Sequence, residues 1–117
     1  MAFEIKESTD KGIVIAELRG ELDSSSVAAF TLGFKEISDK HGKAKYILDL
    51  KALDFISSAG WTAFLNEFRR LGALGAEIKL ASMQPDAKRV YSLVGIDGVI
   101  KSYETVKEAA DSYGKNG

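Results

Sequence analysis

The sequence predicts an α/β fold: a mixed sheet of about five strands with about four α-helices packed mainly on one face, in the order β-β-α-β-α-β-α-β-α. Two apolar segments separated by Asp10-Lys11-Gly12 read as an opening hairpin. After it, stretches with apolar residues at helical spacing alternate with short apolar runs, as in crossover units. One of those runs, Tyr46 to Leu50, lacks alternation and reads as a central strand buried on both faces.

Phe3 to Glu7 alternates apolar and polar, as a half-buried strand does, and Ile13 to Leu18 is the second strand. Gly20 to Ser24 reads as a loop whose Asp23 or Ser24 caps the first helix. That helix presents Val27, Phe30, Thr31, Phe34 and Ile37 on one face, and His41-Gly42 ends it. After the third strand, Tyr46 to Leu50, a short loop leads to a helix from about Ser58 to Leu74-Gly75. Gly75 is a suitable C-terminal stop. Ala76 to Ala81 is the fourth strand. Pro85 stands near the start of a third helix with Ala87, Val90, Tyr91 and Val94 on its apolar side. Gly95 ends it, Val99 to Ser102 is the fifth strand, and a last helix carries Val106, Ala109, Ala110 and Tyr113. Residues 114–117 read as a frayed tail. No repeat or linker divides the chain, so residues 1–117 read as one domain.

Composition narrows the function. A formal net charge of −1 gives no footprint for nucleic acid. With no Cys, disulfides and thiolate metal sites are excluded, and a reducing cytoplasm is compatible. Met1-Ala2-Phe3-Glu4 has no basic region followed by an apolar stretch, so no signal peptide is expected. No apolar run approaches bilayer-spanning length, so no direct membrane contact is expected. Nothing in the sequence calls for a cofactor or a metal.

The chemistry concentrates where the third strand meets the second helix. Ser57-Ser58-Ala59-Gly60 precedes an amphipathic segment with Trp61, Phe64, Leu65, Phe68 and Leu71 on one face. The serines therefore fall at the N-cap and first turn, where helix amides lack partners and the dipole is positive. Serine is a favoured cap, and such an end also accepts an anion, including a phosphate. On spacing alone, capping accounts for both serines.

The run Asp49 to Gly60 (Asp-Leu-Lys-Ala-Leu-Asp-Phe-Ile-Ser-Ser-Ala-Gly) resembles the signature of the anti-sigma factor antagonist family, built on the STAS domain. Gly20-Glu21-Leu22-Asp23 resembles the family's loop after its second strand. The two stand in the right order, and the resemblance covers essentially the whole chain. It implies a STAS fold and a protein that acts by binding rather than catalysis. In this family the serine aligned with Ser58 is phosphorylated by a partner kinase that is also the anti-sigma factor, and the phosphate decides whether the two bind. The implied partners are thus an anti-sigma factor of the serine-kinase type and a serine phosphatase, in a bacterial cytoplasm. A monomer when free is compatible. Release of the sigma factor would regulate transcription.

The resemblance makes Ser58 the expected phosphorylation site and gives a partner surface of Asp23, Ser57, Ser58, Ala59, Gly60 and Trp61. Ser57 replaces an Asp found in many relatives and reads as a cap and loop residue. Asp23 is a cap or a partner contact. Gly60 leaves approach to the helix start unhindered. Trp61, where relatives commonly carry Leu, is either core or an interface anchor. Asp54 reads as a turn residue, and Arg69, Arg70, Lys88 and Arg89 as solvated faces.

Two other readings stay open. One is a STAS scaffold or accessory subunit of a sensory or transport complex that is never phosphorylated. The other is a small serine hydrolase. It would need His41, the only histidine, to reach the serines from a helix end, and Gly-x-Ser-x-Gly is absent.

Overall fold

The computed structural model describes residues 2–114, so residues 115–117 of the expected tail lie outside it. Its elements are β1 (Glu4–Asp10), β2 (Ile13–Leu22), α1 (Val27–His41), β3 (Lys45–Ile56), α2 (Ser58–Ala73), β4 (Glu77–Ala81), α3 (Pro85–Leu93), β5 (Ser102–Tyr103) and α4 (Val106–Gly114). The five strands lie in sequence order. β1 runs antiparallel to β2, and all later pairings are parallel. This is the expected mixed sheet in the expected order. Gly114, assigned to the tail from sequence, is the last residue of α4.

The hairpin closes through Lys11 and Gly12, both with positive φ (53° and 81°), so that Asp10 pairs with Ile13. Two successive left-handed residues make the turn whose twist suits a two-residue hairpin.

Both faces of the sheet are covered, unequally. Val14, Ala16, Leu18 and Leu22 of β2 join Tyr46, Leu48, Leu50 and Leu53 of β3 in the main core, which α1, α2 and α3 cover. Phe30, Phe34 and Phe64 fill its centre, with Phe30 stacked on Phe34 and edge-on to Phe64. Ile13, Ile47 and Ala81 face the other way and meet Ala109 and Tyr113 of α4. The Tyr113 hydroxyl shares its proton between the carbonyls of Tyr46 and Glu77, at 2.8 and 2.9 Å. β3 is thus buried on both faces over the run read as a central strand.

Several expectations need correction. β2 does not stop at Leu18. It continues through Gly20-Glu21-Leu22, because Gly20 takes φ +93° and an added Cβ there would stand 2.5 Å from the Ala2 carbonyl oxygen. β3 likewise runs on to Ile56 where a loop was expected, so Asp54 is a strand residue. The first helix is not capped by Asp23 or Ser24: Ser26 holds the N-cap position. Thr31 faces solvent, and Val94 is exposed. β5 comes later and shorter than Val99–Ser102, since Ile96–Gly98 form a 3₁₀ turn and Ile100 drops into the core.

His41 and Arg70 are less free than surface residues. Arg70 donates to the buried Glu67 carboxylate (2.6 Å) and to the Ser38 hydroxyl of α1 (3.0 Å). His41 Nε2 lies 2.5 Å from Glu7, which also accepts from Lys40 (2.7 Å), fastening the end of α1 to β1. The hydrogen bonds from His41, then Lys40, hold the Glu7 carboxyl below its ordinary value of 4.5. A depressed carboxylate contributes stability that is fully present above its unfolded value and lost as pH falls through the folded one. The difference in melting temperature between wild type and Glu7→Gln is therefore expected to shrink once pH drops below 4.5. A difference that grows in acid would contradict this assignment.

Candidate functional site

The two sequence motifs meet at one end of the sheet. Leu22, the last residue of β2, pairs with Ile56, the last of β3. The chain then turns into α2, and the Ser57 amide donates to the Leu22 carbonyl at 2.9 Å. One backbone hydrogen bond thus joins Gly20-Glu21-Leu22-Asp23 to the serine pair.

Ser57 is extended (φ −83°, ψ 176°) and holds the N-cap of α2. Its hydroxyl accepts from the Gly60 amide at 3.3 Å, and its carbonyl accepts the first helical bond, from Trp61, at 3.0 Å. Ser58 is the first helical residue and is exposed. Its hydroxyl has no hydrogen-bond partner among the described residues. Capping therefore accounts for Ser57 and leaves Ser58 unoccupied, a division that spacing could not make. No acidic residue stands in the first turn of α2, so the positive helix end has no built-in anion.

Gly60 sits against the strand ends. A Cβ there would lie 2.8 Å from the Leu22 carbonyl oxygen and 2.9 Å from Ile56 Cγ2. The bare α-carbon lets α2 start directly over β2 and β3, a tighter requirement than unhindered external access. Ala59 is half-buried beside it.

Asp23 is not a helix cap. Its carboxylate accepts from the Ser25 hydroxyl (2.6 Å) and the Ser25 amide (2.9 Å), and closes the turn from β2 into α1. The Ser25 hydroxyl, then the Ser25 amide, hold its carboxyl below the ordinary range. Asp23 is thus an anion near neutrality, fixed in direction and half-buried.

Trp61 leaves the expected surface. At 4% exposure it packs edge-on to Phe64 and against Tyr91 of α3, the core alternative of the two. Its Nε1 is buried with no partner among the described residues. Sequence reasoning overlooked Phe55, which is 51% exposed on the part of β3 taken for a loop. It also missed Gln84, whose amide donates to the Lys51 carbonyl (3.0 Å) and ties α3 to that extension. The signal for Phe55 was an aromatic followed by Ile56, both strand formers, inside a supposed loop.

Residues 4–109 match the family model of the STAS domain. BtrV of Bordetella bronchiseptica, a candidate anti-sigma factor antagonist, is 28% identical over 111 residues, which cover 93% of this chain and 95% of BtrV. Among solved structures, an anti-sigma factor antagonist from Mycobacterium paratuberculosis superposes with a TM-score of 0.85 at 19% identity, over 95% of this chain and 93% of that one. The Bacillus cell fate determinant SpoIIAA in its phosphorylated form gives 0.69 at 23% identity, over 96% and 99%.

Proposed function

Because this chain belongs to the STAS domain family and is of the anti-sigma factor antagonist type, we propose that it is a binding protein switched by phosphorylation of Ser58. Unmodified, it engages an anti-sigma factor of the serine-kinase type and frees the sigma factor, which regulates transcription. Phosphorylated, it is released, and a serine phosphatase resets it. It performs no catalysis of its own and works in a bacterial cytoplasm. Among the described residues no helix is long and apolar enough to cross a membrane.

The observation that carries this reading is the division of labour between the serines: Ser57 caps α2, and Ser58 offers a free, exposed hydroxyl. A phosphate there meets a helix end with no resident carboxylate, where the dipole favours an anion by roughly 0.3–1 kcal/mol. That a structural relative exists in a phosphorylated form lends support.

The test is incubation with ATP and the anti-sigma-type serine kinases of the same organism, followed by mapping of the modified peptide. Phosphate is expected on Ser58. Modification of Ser57 with Ser58 untouched would overturn the assignment.

The partner surface in this reading joins Asp23 to Ser57, Ser58, Ala59 and Gly60. Trp61, being buried, supports it from below. Asp23→Ala is expected to weaken kinase binding while costing no more stability than a lost turn hydrogen bond, about 1 kcal/mol. Titration calorimetry and thermal melts read the two effects, and unchanged affinity would remove that turn from the surface.

A further inference from the structure

We infer that the free edge of β1 is the interface of a symmetric dimer, in which two copies of this chain pair antiparallel about Ile5 and continue one sheet through both. The inference stands apart from the role proposed for Ser58.

β1 ends the strand order, so it has a neighbour on one side only. The strand at the other end, β5, is two residues long, and such brevity blunts an edge. β1 has seven residues and no Pro, and its register with β2 runs unbroken from Glu4 to Asp10, so no bulge twists the edge away. The hairpin decides which groups stand on that edge. Asp10 and Ile13 close a two-residue turn and therefore exchange both their backbone bonds. Alternation from that pair turns the amides and carbonyls of Lys6 and Ser8 toward β2, and those of Ile5, Glu7 and Thr9 outward. α1 covers one face of β1 but leaves a cavity of about 560 Å³ beside it, lined by Ile5, Glu7, Gly33, Ile37 and Lys40 among others. The edge is thus open to an incoming strand.

Charge selects a second copy as the strand, and selects the axis. Glu4 and Lys6 are exposed on the face away from α1, and neither has an ion-pair partner among the described residues. A two-fold axis at Lys6 would set that residue against itself. An axis at Glu7 would do the same to Glu7 and would oppose Glu4 to Asp10. An axis at Ile5 sets Glu4 against the partner's Lys6 in both halves. Glu4 already lies opposite Arg19, and Lys6 opposite Glu17. The row across the interface then runs Arg19, Glu4, the partner's Lys6, the partner's Glu17, with alternating sign throughout. On the covered face the matching row is apolar: Leu18, Ile5, and the same two residues of the partner. Phe3 would stand opposite the partner's Glu7, but each is turned into its own α1, Phe3 onto Phe30 and Glu7 onto His41 and Lys40. An axis at Ser8 also opposes Lys6 to an acid, Asp10, yet it offers no apolar pair. A lone lysine normally guards an edge against addition, whereas here the Ile5 axis meets it with a carboxylate. The edge is its own complement, as an isologous interface requires. Antiparallel pairing also sends the serine-bearing ends of the two copies in opposite directions.

The experiment is sedimentation equilibrium of the full chain over a wide range of concentrations. Wild type is expected to form a reversible dimer. Lys6→Glu and Glu4→Lys each set like charges together in both rows, and each should weaken the dimer about tenfold or more. Both positions are exposed, so thermal melts of the two variants should stay close to wild type. An equimolar mixture of the two variants should recover the dimer, because every row then joins unlike charges. Loss of fold could not produce that recovery. A wild type that stays monomeric at every concentration would overturn the inference and leave the edge to a foreign strand. A dimer indifferent to both substitutions would place the interface elsewhere and overturn it too. An effect of Lys6→Glu without one of Glu4→Lys would move the axis to Ser8, and a mixture that stays monomeric would exclude the pairing of these two residues; either result defeats the interface described.

Discussion

Phosphorylated on Ser58, the protein should bind its kinase at least tenfold more weakly than the unmodified form, with its fold unchanged. A kinase brings a nucleotide phosphate to the acceptor. After transfer, two phosphates face each other where one hydroxyl stood. The new group carries roughly −1.5 to −2 charges. Each like-charge pair at about 4 Å costs on the order of 4 kcal/mol near a surface. A third of that, after screening, matches the ~1.4 kcal/mol of a tenfold change in affinity. The folded state loses nothing, because the phosphate meets the unneutralised end of α2. Ser58→Ala should keep both binding and stability and lose control, since the cap is Ser57. Ser57→Ala, by contrast, should cost about 1 kcal/mol. Ser58→Asp has one charge and fewer acceptor oxygens than a phosphate, and should mimic it poorly. Amide chemical shifts and partner affinities of the two forms decide the matter. Shift changes spread across the sheet would defeat a local mechanism, and equal affinities would defeat the switch.

Gly60→Ala should destabilise the protein by up to about 2 kcal/mol. Overpacking costs typically 1–3 kcal/mol, and the better helix propensity of Ala returns about 1. The obstacle is backbone: the added carbon meets the Leu22 carbonyl oxygen at 2.8 Å, the same oxygen that accepts the Ser57 amide. Relief requires α2 to lift from the strand ends, which also shifts Ser58. Gly72→Ala is the matched control. It lies in the same helix with nothing within 4 Å of an added Cβ, and should stabilise by about 0.5–1 kcal/mol. Thermal melts of the two variants should therefore move in opposite directions. Equal shifts would show that packing at residue 60 does not govern the start of α2.

Much of this architecture is legible in sequence because local and global signals agree. The apolar spacing of Trp61, Phe64 and Leu71 specified a helix, and those three are buried. The strand extensions were harder to see for a definite reason. Leu48, Leu50, Leu53 and Ile56 all pack toward the main core, yet their spacing is two, then three, then three. Register shifts against β2 insert the extra residues and erase the period of two by which a strand is recognised. Along β2 the alternation did persist through Gly20 and Leu22, but the motif's glycine suggested a loop. Spacing alone could not divide the two serines, because a one-residue difference in helix start decides which of them caps α2; the family resemblance had already set Ser57 as the cap and Ser58 as the expected site.

The attachment of α4 has a consequence for signalling. Its Tyr113 hydroxyl is pinned to carbonyls at the starts of β3 and β4, the end of the sheet remote from Ser58. Hydrogen exchange should accordingly divide the molecule. Amides around Tyr46 and Glu77 should keep their protection whatever happens at Ser58, while any loosening is confined to the first turn of α2. Under the proposed phosphorylation of Ser58, such a protein would be an insulated tag. Its covalent state would then be legible only to a reader that touches the marked end, and a second protein bound over α4 would sense nothing.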